Sequence, residues 1–330
     1  MQELNQRNLR VLSRLGQRGS FFGMALPEIA ESKRNLRVVT ADLGNLSGLE
    51  RFKNAWSDRF YNVGIAEQNM IGIATGLAKE GNCVFVTTYA TFCSLRSLEQ
   101  IRHNLGYMKF NVKVVGSSAG FAMGMSGNTH YAIEDIAIMR AIPNLIVISP
   151  ADAAEAYLAA YAVSEIDNPV YIRLTGQMNC PMVYKESYLF QIGKGIILRE
   201  GSDIALIGTG TVINEAIKAA SLLEERGFSC SVVNIHTIKP LDTDLLDRIF
   251  CEHRLIVTVE EHNVIGGLGS AIAEYKSSKM QSPPQLIIGI PDCFGKAGEY
   301  NYLLEQYNLT AEKIATLVEN KLVNERMGNF

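Results

Sequence analysis

No lysine- or arginine-rich block interrupts this chain, and the formal net charge over its 330 residues is -3. Phosphate-tracking grooves and anionic membrane surfaces both select clustered positive charge. Nucleic acid and membranes are therefore excluded as expected partners. No apolar run approaches the ~18 residues of a bilayer-spanning helix. The polar start MQELNQRNLR lacks the apolar centre of a signal peptide. The cysteines Cys83, Cys93, Cys180, Cys230, Cys251 and Cys293 are scattered, with no Cys-x-x-Cys pair. That pattern argues against a structural zinc site and a disulfide scaffold, and it fits a reducing cytoplasm. No internal repeat and no low-complexity tract is visible.

What is present reads as an enzyme-sized α/β protein. Apolar residues at 47% against 20% charged are enough for a substantial core. Short β-rich runs, NLRVVTA (35–41), CVFVTTY (83–89), NVKVVGS (111–117), LIVISP (145–150) and VYIRL (170–174), alternate with helical patterns. One helical pattern is IAEQNMIGIATGLAKEG; another follows Pro150, with Asp152 as N-cap. Strands apolar nearly throughout predict a parallel sheet covered on both faces. The rhythm breaks across 175–195 and then resumes with strands near 203–210, 229–236, 254–261 and 285–290 and a helix over 211–227. The expected organisation is two open, doubly wound sheets, the first parallel and the second smaller. The expected domains are 1–190 and 191–330.

Ligands of open α/β sheets gather beyond the carboxyl ends of the strands. Those ends offer Asp42 and Leu43, then Thr91 and Phe92, then the loop SSAGFAMGMSGNTHYAIED (117–135) with His130, then Arg173. Each has a plainer alternative. Asp42 suits a turn, Phe92 a core position, and Arg173 a surface ion pair. Glu67, in FYNVGIAEQNM, is the hardest to explain plainly. A carboxylate at the start of an apolar, glycine-containing helix is costly unless a partner or a ligand meets it. GTGTVI (208–213) lacks the third glycine of a dinucleotide fingerprint. IGGLGSAIAE (265–274) suits either an anion site or a tight helix-packing turn.

RFYNVGIAEQNMIGIATGLA resembles the signature of thiamine-diphosphate enzymes of the transketolase and deoxyxylulose-phosphate synthase group. The resemblance continues through GNTHYAIEDIAIMRAIPNLIVISPAD, NIHTIKPLD, VTVEEHNVIGGLGSAIAE and PDCFGKAGEYNYLLEQYNLT, covering about residues 36 to 316. It implies a pyrimidine-binding domain followed by the family's C-terminal domain. It further implies that Glu67 hydrogen-bonds N1′ of the cofactor's aminopyrimidine, favouring the imino form whose 4′-nitrogen deprotonates thiazolium C2. Burial would strengthen that bond. The resemblance places Phe92 against the pyrimidine, with Leu95 and Leu98 where further aromatics often occur, so the wall is expected to be partly aliphatic. It places Asp42 and Leu43 beside the cofactor, His130 on donor-substrate oxygens and Arg173 on a sugar phosphate.

The family's GDG motif, which holds the diphosphate and Mg²⁺, occurs nowhere in the sequence. With only about 35 residues before the first strand, no diphosphate domain is expected, and no metal ligand is assigned here. The resemblance therefore implies the C-terminal half of a split transketolase. A separate N-terminal subunit would supply the diphosphate and Mg²⁺ site, in a self-associating assembly, a heterotetramer. Gly72 and Gly76, one turn apart, would permit close approach of another helix. Related chains read close to SHAG…GEDGxTHQ where this one has SSAGFAMGMSGNTHY. Ser118, Met125, Ser126 and Tyr131 thus replace histidine, glutamate, aspartate and glutamine. Ser126 removes a charge that contacts a donor hydroxyl, so a non-standard ketose is expected. Rival expectations are deoxyxylulose-phosphate synthase-like chemistry, a 2-oxoacid dehydrogenase β subunit, and a non-catalytic regulatory or scaffold subunit.

Overall fold

Apolar residues, valine and isoleucine foremost, dominate the central strand segments, and such runs are stable where both faces of a sheet are covered. The computed structural model describes residue 4 and residues 6–327 other than 177 and 179. Its strands in chain order are β1 (Leu36–Thr40), β2 (Phe60–Asn62), β3 (Cys83–Tyr89), β4 (Val112–Ala119), β5 (Ile146–Ile148), β6 (Val170–Thr175), β7 (Ile196–Arg199), β8 (Ile204–Thr209), β9 (Cys230–Asn234), β10 (Thr237–Lys239), β11 (Leu255–Asn263) and β12 (Gln285–Ile290). The larger sheet runs β10-β5-β6-β4-β3-β1-β2 and the smaller β12-β11-β8-β9-β7. Helices cover these sheets in an α/β fold of two doubly wound layers.

The first sheet is not wholly parallel. β10 comes from the second half of the sequence, yet it pairs antiparallel with β5 at the edge of the first sheet. β7 likewise pairs antiparallel with β9. The strands that the sequence pattern does not announce, β2, β7 and β10, all lie at sheet edges. Edge strands are short and bury less, so they carry no long apolar run; β2 and β7 contain no fully buried residue.

Two helices matter for the site. Glu67–Lys79 buries Glu67, Met70, Ile71 and Ala74 and leaves Gly72 and Gly76 on its open side. Ala153–Ser164 begins at Asp152, whose Oδ1 accepts from Glu155 N–H at 2.8 Å. Asp152 Oδ2 accepts from Val183 and Tyr184 N–H at 2.7 and 2.9 Å, so the irregular 175–195 segment is tied to that helix. No disulfide joins the six cysteines. Among the described residues no helix is long and apolar enough to cross a membrane.

Candidate active site

Parallel pairing brings the carboxyl ends of β2, β1 and β3 to one rim. β1 runs into Asp42, which adopts a left-handed φ of 59°. Asp42 Oδ1 accepts from Asn62 Nδ2 at 2.9 Å, and Asp42 N–H donates to Asn62 Oδ1 at 3.1 Å. This exchange staples the ends of β1 and β2, so Asp42 serves a turn and stays exposed at the rim. Leu43 is partly buried, its N–H donating to Thr40 Oγ1 at 3.2 Å.

Four residues after β2 ends, Ala66 leads into the helix headed by Glu67. Glu67 is 7% exposed, while Met70 and Ile71 beneath it are fully buried. Ile65 does not help to desolvate it, because that side chain is 78% exposed. A carboxylate in the first turn is favoured by the helix dipole. Here Oε1 also accepts from Arg96 Nη1 at 2.7 Å.

β3 runs into Tyr89 and then a wide π-type turn, Phe92–Arg96, a departure from α geometry that recurs at functional sites. The turn aims Phe92 back over the rim. The rings of Tyr89, Phe92 and His130 meet edge to face, with centroids 5.8 Å apart for Tyr89–Phe92, 5.9 Å for Tyr89–His130 and 5.4 Å for Phe92–His130. His130 Nδ1 lies 3.0 Å from Thr129 Oγ1. The Arg96 guanidinium carbon stands 3.7 Å from the Phe92 centroid. Leu95, beside it, is 50% exposed.

The 117–135 loop is bolted to the second half of the chain. Asn128 Nδ2 donates to Gly295 O at 2.6 Å, and Gly295 N–H donates to Asn128 Oδ1 at 3.1 Å. Tyr131 is buried and donates to Gly124 O at 2.6 Å. Ser126 and Met125 are exposed on this loop, and Ser118 is buried with φ 55°. Tyr131 and Ser118 therefore shape the loop from below, while Ser126 and Met125 form its outer surface.

Arg173 lies deeper than a strand-end position suggests. The sequence places it at the rim to meet a phosphate, but its side chain is 1% exposed. Its Nε donates to Asp135 Oδ2 at 2.9 Å, and Nη2 donates to Ala132 O and Glu261 O at 3.0 and 2.7 Å. These partners lie on the 117–135 loop, the helix after it and β11. Through Nε and Nη2, Arg173 locks the two halves together. The IGGLGS turn is also settled: Glu260 Oε2 and Oε1 accept from Leu268 and Gly269 N–H at 2.6 and 2.8 Å. The chain's own carboxylate fills that helix N-terminus. His236, His253 and His262 are all buried in the second half.

Sequence reading missed Arg96 and Tyr89. The signal for Arg96 was its position four residues after Phe92, a spacing at which side chains on one helical turn meet. Glu67 and Phe92 together offer a shielded acceptor beside an aromatic face, which suits a flat nitrogen heterocycle. Among the described residues no three His, Cys, Asp or Glu side chains converge as a metal set.

Comparison with known proteins matches the transketolase pyrimidine-binding domain over residues 18–181 and the transketolase C-terminal domain over residues 193–314. The 6-deoxy-6-sulfo-D-fructose transketolase subunit SqwH of a Clostridium species is 38% identical over 88% of this chain and 89% of its own length. One of the subunits of the apulose-4-phosphate transketolase of Phocaeicola vulgatus is 35% identical over 89% of this chain and 93% of its own length. The 1-deoxy-D-xylulose-5-phosphate synthase of Chlorobium luteolum is 35% identical over 90% of this chain, which spans 47% of that enzyme. A solved structure described as "Split gene transketolase, inactive beta4 tetramer" superposes with a TM-score of 0.84 at 38% identity, covering 93% of this chain and 98% of the other.

Proposed function

The chain belongs to the transketolase family, and on that premise we propose that it is the C-terminal subunit of a two-chain, thiamine-diphosphate-dependent transketolase. The observation that carries this reading is the convergence of Glu67, Phe92 and His130 on one rim, with Phe92 and His130 5.4 Å apart. The Glu67 carboxylate would hold N1′ of the aminopyrimidine and Phe92 would lie against its ring. Leu43 and Leu95 would add aliphatic wall, and Asp42 would stand beside them. When bound, thiamine diphosphate supplies the carbanion and the electron sink for cleavage next to a ketose carbonyl. His130 would hold or move a proton at a donor-substrate oxygen. The diphosphate and Mg²⁺ would be held by an N-terminal partner chain that carries the absent GDG motif. The working assembly would be a heterotetramer in the cytoplasm.

The substrate would be a ketose other than a standard pentose phosphate. Ser126 offers a neutral hydroxyl at the rim, and Met125, 70% exposed, adds an apolar surface beside it. Relatives named for 6-deoxy-6-sulfo-D-fructose and for apulose 4-phosphate support a substrate outside the standard pentose phosphates. The test is co-purification with candidate partner chains, followed by a cofactor-dependent assay on ketoses and 2-oxoacids. Glycolaldehyde transfer supports the reading. Efficient turnover of xylulose 5-phosphate with ribose 5-phosphate would count against a non-standard substrate.

A second reading follows from the likeness to 1-deoxy-D-xylulose-5-phosphate synthase. In that case pyruvate is the donor and CO₂ release accompanies condensation, which the same product analysis separates. Acyl transfer to a lipoyl group would instead mark a 2-oxoacid dehydrogenase subunit. If Glu67→Gln left turnover of the assembled enzyme unchanged, a non-catalytic role for this subunit would follow.

A further inference from the structure

Arg96 is held by two contacts at the place where Glu67 and Phe92 converge. Its guanidinium carbon lies 3.7 Å from the Phe92 ring centroid. Its Nη1 donates to Glu67 Oε1 at 2.7 Å. A flat, delocalised group with an N–H edge is thus set over the aromatic face and against the carboxylate. An aminopyrimidine seeks the same pair of contacts. Two flat groups cannot both cover that ring face and bond that oxygen.

Exposure decides which of the partners can move. The Arg96 side chain is 50% exposed, whereas that of Glu67 is 8% exposed. Gln68 Nε2 donates to Arg96 O at 3.1 Å, which ties the Arg96 carbonyl to the helix that bears Glu67 and leaves the guanidinium side chain as the part that swings. A displaced guanidinium would enter water without opening the core. The arrangement also explains how the chain tolerates Glu67 before a ligand arrives, because a shielded carboxylate without a partner is costly.

We infer that Arg96 is a stand-in for the cofactor's pyrimidine ring: it closes the seat between Phe92 and Glu67 in the cofactor-free chain and must swing out for the cofactor to enter. The inference rests on the reading of Glu67 and Phe92 as the pyrimidine site. The apparent affinity for thiamine diphosphate is then reduced by the fraction of chains whose seat is closed. Arg96 regulates loading and is not a catalytic residue.

The test measures cofactor binding, not turnover, in the complex of this full chain with its diphosphate-binding partner. Calorimetric dissociation constants and stopped-flow association rates for thiamine diphosphate are compared at saturating Mg²⁺ for wild type, Arg96→Ala and Arg96→Lys. A stacked, half-exposed ion pair biases the seat by roughly three- to thirtyfold. Arg96→Ala is therefore expected to bind more tightly and faster within that range. Arg96→Lys keeps the charge without the flat face and is expected to fall between. In wild type, the ring-current-shifted Nε–H resonance of Arg96 is expected to move to a solvent-exposed position on saturation. If Arg96→Ala binds equally or more weakly while wild type binds, Arg96 is a fixed support for Glu67 and the inference fails alone. If the wild-type complex does not bind thiamine diphosphate at all, the pyrimidine-site reading and the inference fail together.

Discussion

Arg173 and Asp135 form an ion pair at 2.9 Å, with side chains 1% and 0% exposed, on the path between the 117–135 loop and β11. The same Asp135 accepts from Tyr171 OH at 2.7 Å. Removing one member of a buried pair strands the other, at about 3–5 kcal/mol. Asp135→Asn and Arg173→Leu are each expected to destabilise the chain by that order in urea denaturation. The double variant should lose clearly less than the sum of the two, because no unpaired charge remains. Additive losses would show that the pair contributes nothing as a pair.

Stability should respond to pH through groups of opposite sign. Burial lowers the His236 pKa to about 3 and that of His262 to about 4. Their unfolded value is about 6.5, so the unfolded chain binds more protons below it. Their contribution is complete above about pH 6.5 and is lost as pH falls through this window. Glu260 runs the other way: burial raises its pKa to about 7. Its contribution is complete below about 4.5 and is lost as pH rises through about 7. The two effects oppose each other between about pH 4.5 and 6.5, whereas below that window the histidines act without this opposition. His236→Phe is expected to lower the midpoint of acid unfolding, since His236 stacks on Phe190 at 4.2 Å and its Nε2 has no hydrogen-bond partner among the described residues. Denaturation curves from pH 3 to 8 provide the check.

Glu260 caps the helix Leu268–Lys276 from β11, accepting two backbone N–H bonds. Glu260→Ala leaves both donors buried and empty and is expected to cost about 2 kcal/mol or more. Glu260→Gln keeps one acceptor and should cost less. Gly267→Ala is also expected to destabilise, since a Cβ there would lie 1.9 Å from Glu260 Oε2. Thermal unfolding of the three variants ranks them.

At the rim, His130→Ala in the assembled enzyme is expected to lower kcat/KM by about 10²-fold or more, in line with loss of a general acid–base group. Unchanged urea stability would separate this from misfolding, because His130 lies on a loop and is only partly buried. A fall in stability matching the fall in rate would contradict a role in proton transfer.

Gly72 and Gly76 separate folding from assembly. Among the described residues, a Cβ at either position meets nothing within 4 Å. Alanine at each should stabilise the helix by up to about 1 kcal/mol. Gly76→Leu should leave the chain folded while weakening association with itself or with the partner chain. Analytical ultracentrifugation reads the second effect and circular dichroism the first.

Much of this protein was determined by sequence alone. Apolar strand runs, the Asp152 cap and helical periodicity are local consequences of side-chain type, and they specified an α/β fold of two sheets. The strand-end placement of Asp42, Phe92 and His130 was legible as well, because parallel strands deliver their carboxyl ends to one side; Glu67 was legible as a carboxylate at a helix start. Only the tertiary structure decided what depends on distant neighbours. Arg173 ends a strand in the sequence, but packing of β11 and the loop before Asp135 closes over it. β10 joins the other half's sheet because pairing depends on which edge is open, not on chain order. Arg96 finds Glu67 across 29 residues because a π-type turn and a helix start happen to face each other. Burial and partner choice are sums over the whole fold, and no local stretch contains them.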